Sequence, residues 1–183
     1  MTTQIKTISE VEMPDTEKQN GNVLILGLGN ILFKDEGFGA WVAQELLKME
    51  LPSNIEVIDA GTASLDLLLS AENLTKLIII DVLKSDGEQG AVYKLKFDGK
   101  NKEKLNEIFC ENQTAAISLH QVGLLGALAA AEKIGNCPKE IVIIGIEPDD
   151  ISFGLGLTDK LRNMISKTVN IVLEELGYAV HRK

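Results

Sequence analysis

The sequence predicts an α/β fold: a three-layer α/β/α sandwich on a mostly parallel five-stranded sheet with one antiparallel edge strand. Three observations lead there. Short runs dense in Ile, Val and Leu recur along the chain, as strands covered on both faces do. Between them lie stretches whose apolar residues follow helical spacing. One further run alternates polar and apolar residues, the mark of a strand with a solvated face.

Residues 1–21 are polar and carry no sustained period, so they read as a flexible N-terminal tail ahead of one domain over 22–183. The first strand is VLILGLG at 23–29, followed by a helix placing Phe38, Trp41, Val42, Leu46 and Met49 on one side. IEVIDA at 55–60 is the second strand, and Leu65, Leu68 and Leu69 mark the next helix. KLIIIDVL at 76–83 is the third strand. After the turn-like SDGEQG, the alternating AVYKLKF at 91–97 is expected to be the antiparallel edge strand, joined to the third strand by a hairpin. The charged region 98–119 reads as a helix or loop excursion before a helix with Val122, Leu124, Leu125, Leu128 and Ala129. EIVIIGIE at 140–147 supplies the last strand, and Leu161, Ile165, Val169, Val172 and Leu176 a closing helix. No internal repeat or low-complexity stretch occurs.

A chain of 183 residues with 45% hydrophobic content can build a core without disulfides or a structural metal. Its two cysteines, Cys110 and Cys137, have neither CxxC nor zinc-finger spacing and read as reduced thiols. A net charge of −9 disfavours nucleic-acid partners, which need a basic face. No apolar run approaches the roughly 20 residues that span a bilayer, and the polar, acidic start lacks the features of a signal peptide. The expectation is a cytoplasmic protein with no membrane partner. Without a coiled-coil heptad or a large apolar exposed stretch, it is expected to be a monomer.

In an open parallel sheet, ligands bind beyond the carboxyl ends of the strands, and the unusual residues fall on that edge. In GLGNILFKDEGFGAW, Gly27 and Gly29 permit a tight turn, and Asp35 and Glu36 sit at the start of the following helix. Acids there suit the helix dipole, so either is a cap or a site residue. The segment resembles a dinucleotide fingerprint in part, but Leu32 occupies the third glycine position and the carboxylates would repel a pyrophosphate. No nucleotide cofactor is expected. Asp59 ends the second strand and Asp81 ends the apolar part of the third; neither acid serves packing, so each caps a turn or belongs to a site. His120, in SLHQVGLLG, opens a helix and is the one histidine of the domain body, since His181 lies near the C-terminus. A lone histidine is most often a core or capping residue, but two strand-end carboxylates on the same edge favour a site. Two carboxylates and an imidazole make a partial shell for a borderline divalent ion such as nickel or zinc, with positions left open. Nucleophile schemes are weaker: nothing near Cys110 lowers a thiol pKa, and Ser118 lacks a nucleophile elbow.

GLGNILFKDEGFG, IDAGTAS, LIIIDVL, SLHQVGL and GIEP, in that order, together resemble the hydrogenase maturation protease family. The resemblance runs from about Val23 to Leu176. It implies a cytosolic endopeptidase that removes a C-terminal extension from the precursor large subunit of a nickel-iron hydrogenase after nickel insertion. It also implies that Glu36, Asp81 and His120 contact nickel supplied by that subunit, and that Asp81 is catalytic as well, with Asp59 as an auxiliary catalytic or substrate-orienting carboxylate. Water attack could then be assisted by the metal as Lewis acid or by a carboxylate as general base. Two other functions remain open: a non-catalytic metal-sensing maturation chaperone using the same three ligands, and a peptidyl-tRNA hydrolase-like enzyme suggested by the ILGLGN opening.

Overall fold

Two-residue periodicity builds the centre of this molecule. In β1 (Asn22–Leu28), Val23 and Ile25 face one side of the sheet while Leu24, Leu26 and Leu28 face the other, and all five are buried. A strand that is apolar on both sides needs cover on both, and the helices provide it. The computed structural model describes residues 21–62, 73–98, 119–133 and 137–178, with 119–125 described by backbone alone.

β1 runs into a 3-10 turn (Lys34–Gly37) and α1 (Phe38–Leu46). Then come β2 (Ile55–Gly61), β3 (Leu74–Val82), β4 (Val92–Asp98), α2 (Leu119–Lys133) and β5 (Glu140–Ile146), and finally α3 (Asp159–Arg162) and α4 (Ile165–Glu175). The sheet order is β2-β1-β3-β5-β4. β1 pairs in parallel with β2 and β3, β3 pairs in parallel with β5, and β4 lies antiparallel to β5.

On one face, Phe38, Val42 and Leu46 of α1 and Val169, Val172 and Leu173 of α4 join Ile25, Ile78, Ile80 and Ile144 in one apolar cluster. On the other, Ala127, Leu128 and Ala131 of α2 pack with Leu26, Leu77, Ile79 and Ile143. The expected sandwich on a mostly parallel sheet is thus present. Truncating a buried member such as Ile80 to Ala costs on the order of 2–5 kcal/mol.

Two expectations need correction. β4 is an antiparallel edge strand, as its alternation implies, but its ladder partner is β5 and not β3. β5 is buried along six of its seven residues, so it belongs inside the sheet; it takes the place beside β3 and leaves β4, with exposed Lys94 and Lys96, at the edge. β2 is the other edge, and only Ala60 of its residues is buried. The single closing helix is two, α3 and α4, separated by Asn163 and Met164. Leu161 and Val169 still share one cluster, and apolar spacing cannot report a break that leaves the buried face continuous. The tail at 1–20, the helix through Leu65 and Leu69, and the excursion at 99–118 lie outside the described residues.

α1 lies unusually close to the sheet. A Cβ on Gly39 would stand 2.2 Å from the carbonyl oxygen of Ile80 and 2.3 Å from that of Leu28, so only glycine lets helix backbone rest on β1 and β3. That contact fixes the head of α1, and the turn before it, over the carboxyl edge.

Candidate active site

The carboxyl edge holds a topological switch point. From β1 the chain passes to β2 on one side, and β3 returns on the other; open α/β sheets bind their ligands at such a reversal, between the loops leaving the two strands. The loop after β1 is held against the sheet by Gly29. Its φ of +131° is a conformation side chains rarely adopt, and a Cβ there would lie 1.9 Å from the Glu36 carbonyl oxygen. The Gly29 N–H donates to the Gly61 carbonyl at 2.9 Å, tying the ends of β1 and β2 together.

The two acids of this loop, indistinguishable in sequence, have different tasks. Asp35 is fully buried. Its Oδ2 accepts the N–H groups of Asp149 and Asp150 at 3.0 and 2.9 Å and the Thr158 hydroxyl at 3.0 Å, while Oδ1 accepts the Thr158 N–H at 2.7 Å. Asp35 therefore clasps the loop after β5 to the loop after β1. Glu36 is half-buried in the 3-10 turn, which packs against β3.

Asp81 sits one residue before the end of β3, opposite Gly145 of β5, and is almost wholly buried. Its Oδ1 accepts the N–H of Val82 at 2.8 Å, which sets the orientation of the carboxylate. Asp59 lies opposite Gly27 on the other side of β1 and is exposed; its Oδ2 accepts from Gln44 Nε2 at 3.0 Å. Glu36, Asp59 and Asp81 thus lie along one edge of three adjacent strands. His120 is in the first turn of α2, and its side chain lies outside the described residues, as do Cys110, Ser118 and His181. Among the described residues, no group of three or more His, Cys, Asp or Glu side chains gathers around one metal-sized position.

One carboxylate escaped sequence reasoning. Glu147, directly after β5 and buried, accepts the N–H and hydroxyl of Ser85 at 2.9 and 2.6 Å. Its own N–H donates to the Ala91 carbonyl and its carbonyl accepts from Gly90 N–H, at 2.9 and 2.8 Å. It pins the loop that leaves β3 beside Asp81. The argument applied to Asp81, an acid closing a buried strand, applied equally to Glu147. Nearby, Lys34 pairs with Asp150. The Lys34 ammonium, followed by the Ser152 N–H and hydroxyl, holds the Asp150 carboxyl well below the usual carboxylate range.

Chemically, this edge offers carboxylates from neighbouring loops and strand ends, suited to hard or borderline cations and to accepting a proton from water. No helix among the described residues is long and apolar enough to cross a bilayer.

Comparison with known proteins adds to this geometry. The family model described as "Hydrogenase maturation protease" matches residues 41–175. The "Hydrogenase 2 maturation protease" of Escherichia coli (strain K12) is 33% identical over 155 residues, spanning 84% of this chain and 90% of that protein. "Hydrogenase expression/formation protein HupD" of Bradyrhizobium diazoefficiens is 33% identical over 173 residues, spanning 92% of this chain and 86% of its own. The solved structure of the hydrogenase maturating endopeptidase HybD from E. coli superposes with a TM-score of 0.73 at 33% identity, covering 86% of this chain and 94% of that one.

Proposed function

The chain belongs to the hydrogenase maturation protease family and is a peptide-bond hydrolase, and from that premise we propose that it recognises its substrate through nickel. The substrate is the precursor large subunit of a nickel-iron hydrogenase, and the reaction removes its C-terminal extension. The observation that supports the nickel reading is the position of Glu36 in the turn after β1 and of Asp81 near the end of β3, the two strands that flank the switch point.

The nickel is cargo of the substrate, held there by cysteine thiolates. Glu36, Asp81 and His120 offer it two carboxylates and an imidazole. Contact with it fixes the position of the precursor's extension and reports that the metal is present. Positioning of this kind alone can account for much of a rate enhancement.

The remaining steps belong to the chain's own groups. Asp81, oriented by the Val82 N–H, keeps its carboxylate near the end of β3. Asp59, exposed on the adjacent strand and steadied by Gln44, takes a proton from the attacking water or orients the peptide. The protein acts as a monomer in the cytoplasm and uses no nucleotide cofactor.

The test is incubation of the purified protein with nickel-loaded and nickel-free precursor, followed by intact mass, for wild type, His120→Ala and Asp81→Asn. Nickel-dependent loss of a C-terminal peptide, abolished in both variants, is expected. Binding of the loaded precursor without cleavage would instead identify a metal-sensing chaperone.

A further inference from the structure

Five of the six large hydrophobic side chains exposed among the described residues lie in two loops, those after β1 and β5: Ile31, Leu32, Phe33, Phe153 and Leu155. Single exposed apolar residues are ordinary, but a contiguous group marks an interaction surface. We propose that these paired loops dock an apolar segment of the precursor protein flanked by basic residues, beside the cleavage site; this rests on the proteolytic reading above.

The surface is built before any partner arrives. Phe33 and Gly154 form a parallel bridge, with the Lys34 N–H donating to the Gly154 carbonyl at 2.9 Å and the Gly154 N–H to the Leu32 carbonyl at 2.8 Å. The Phe33 and Phe153 rings meet edge to face with centroids 5.9 Å apart. The Asp35 clasp lies under both loops. Phe153 is 77% exposed and Leu155 78%, so two apolar side chains are held in water on a braced frame, where little ordering entropy opposes binding.

Two observations select the occupant. Phe33 immediately precedes the turn carrying Glu36, so the surface adjoins a residue assigned above to the cleavage site. A segment docked here belongs to the molecule being cut. The charge of the rim adds a second constraint. Lys34, the one basic residue of these loops, is tied to Asp150, while Glu36 and the exposed Asp149 add negative charge. A complementary segment therefore places apolar anchors beside Lys or Arg.

The experiment compares wild type with the double variant Phe153→Ser/Leu155→Ser. It measures initial rates of C-terminal release against concentration of nickel-loaded precursor, binding of nickel-free precursor, which is not cut, by fluorescence anisotropy, sedimentation velocity and thermal unfolding. Expected is a KM raised roughly tenfold or more, with kcat within about twofold, unchanged unfolding, and rescue of KM by Phe153→Leu with Leu155 retained. An unchanged KM overturns the proposal, and it does so equally if wild type self-associates and the double variant is monomeric, which would make the face a contact between copies. Wild type that binds precursor but never cuts it would defeat the proteolytic reading alone, because loss of anisotropy binding in the variant would still support docking.

Discussion

Thr158, the residue capping α3, gives both of its donors to Asp35: its N–H reaches Oδ1 at 2.7 Å and its hydroxyl reaches Oδ2 at 3.0 Å. The same hydroxyl oxygen accepts the Leu161 N–H at 3.4 Å. One carboxylate therefore closes a loop, starts a helix and joins segments far apart in sequence.

Replacing Asp35 with Ala removes the acceptor for the N–H groups of Asp149, Asp150 and Thr158. Buried donors left without partners cost about 1–3 kcal/mol each, partly recovered where water enters. Asp35→Ala is expected to lose about 3 kcal/mol, read as a lower urea midpoint.

Glu36→Gln should behave in the opposite way. Its neighbour carries the structural hydrogen bonds, so stability is expected to stay within about 0.5 kcal/mol of wild type. Nickel-dependent processing of the precursor should nevertheless fall below detection by intact mass. A variant that processes normally would remove Glu36 from the site.

Gly29→Ala tests how the loop is seated. The new methyl would meet the Glu36 carbonyl at 1.9 Å, on backbone whose φ of +131° already disfavours alanine. The turn must shift or the protein destabilise. The expected result is a loss of more than about 2 kcal/mol in thermal or urea unfolding, together with impaired processing.

At the opposite end of the sheet, Glu175 has a side chain only 3% exposed and accepts from Lys96 at 2.7 Å and Lys76 at 3.0 Å. Burial pulls the Glu175 carboxyl up, but hydrogen bonds from Lys96 and Lys76 outweigh it and hold the group below its usual 4.5. Burial likewise pulls Lys76 down, yet its bonds to Glu175 and Glu140 keep it above 10.5. A depressed carboxyl contributes stability that is present above pH 4.5 and lost as pH falls through its folded value. A raised amine contributes stability that is complete below pH 10.5 and lost as pH rises past it. Urea midpoints measured across pH should therefore decline on both sides of a neutral plateau. Glu175→Gln should flatten the acid limb relative to wild type and weaken the alkaline one, since Lys76 loses its partner.

The parts of this fold legible in sequence are those set by local pattern. The alternating inward residues of β1 and the acids closing strands β2 and β3 could be read directly, because each depends on neighbours one to four positions away. Which strand β4 would join could not, since that choice is made by β5, a later segment with two apolar faces. Asp35 and Glu36 are adjacent and alike in charge; what separates them is the set of donors at 149, 150 and 158. The docking loops were invisible for the same reason: Phe33 and Phe153 become one surface only when the chain brings β1 and β5 to the same edge.

The insertion of β5 between β3 and β4 also imposes a timetable on synthesis. β4 is synthesised before the strand it pairs with, and β3 can gain its second neighbour only once β5 has followed. Non-local pairing of this kind delays completion of a sheet. Lys94 and Lys96, spaced along that strand, put charge on it from the moment it is made, and charge along an unpaired edge discourages other chains from adding to it.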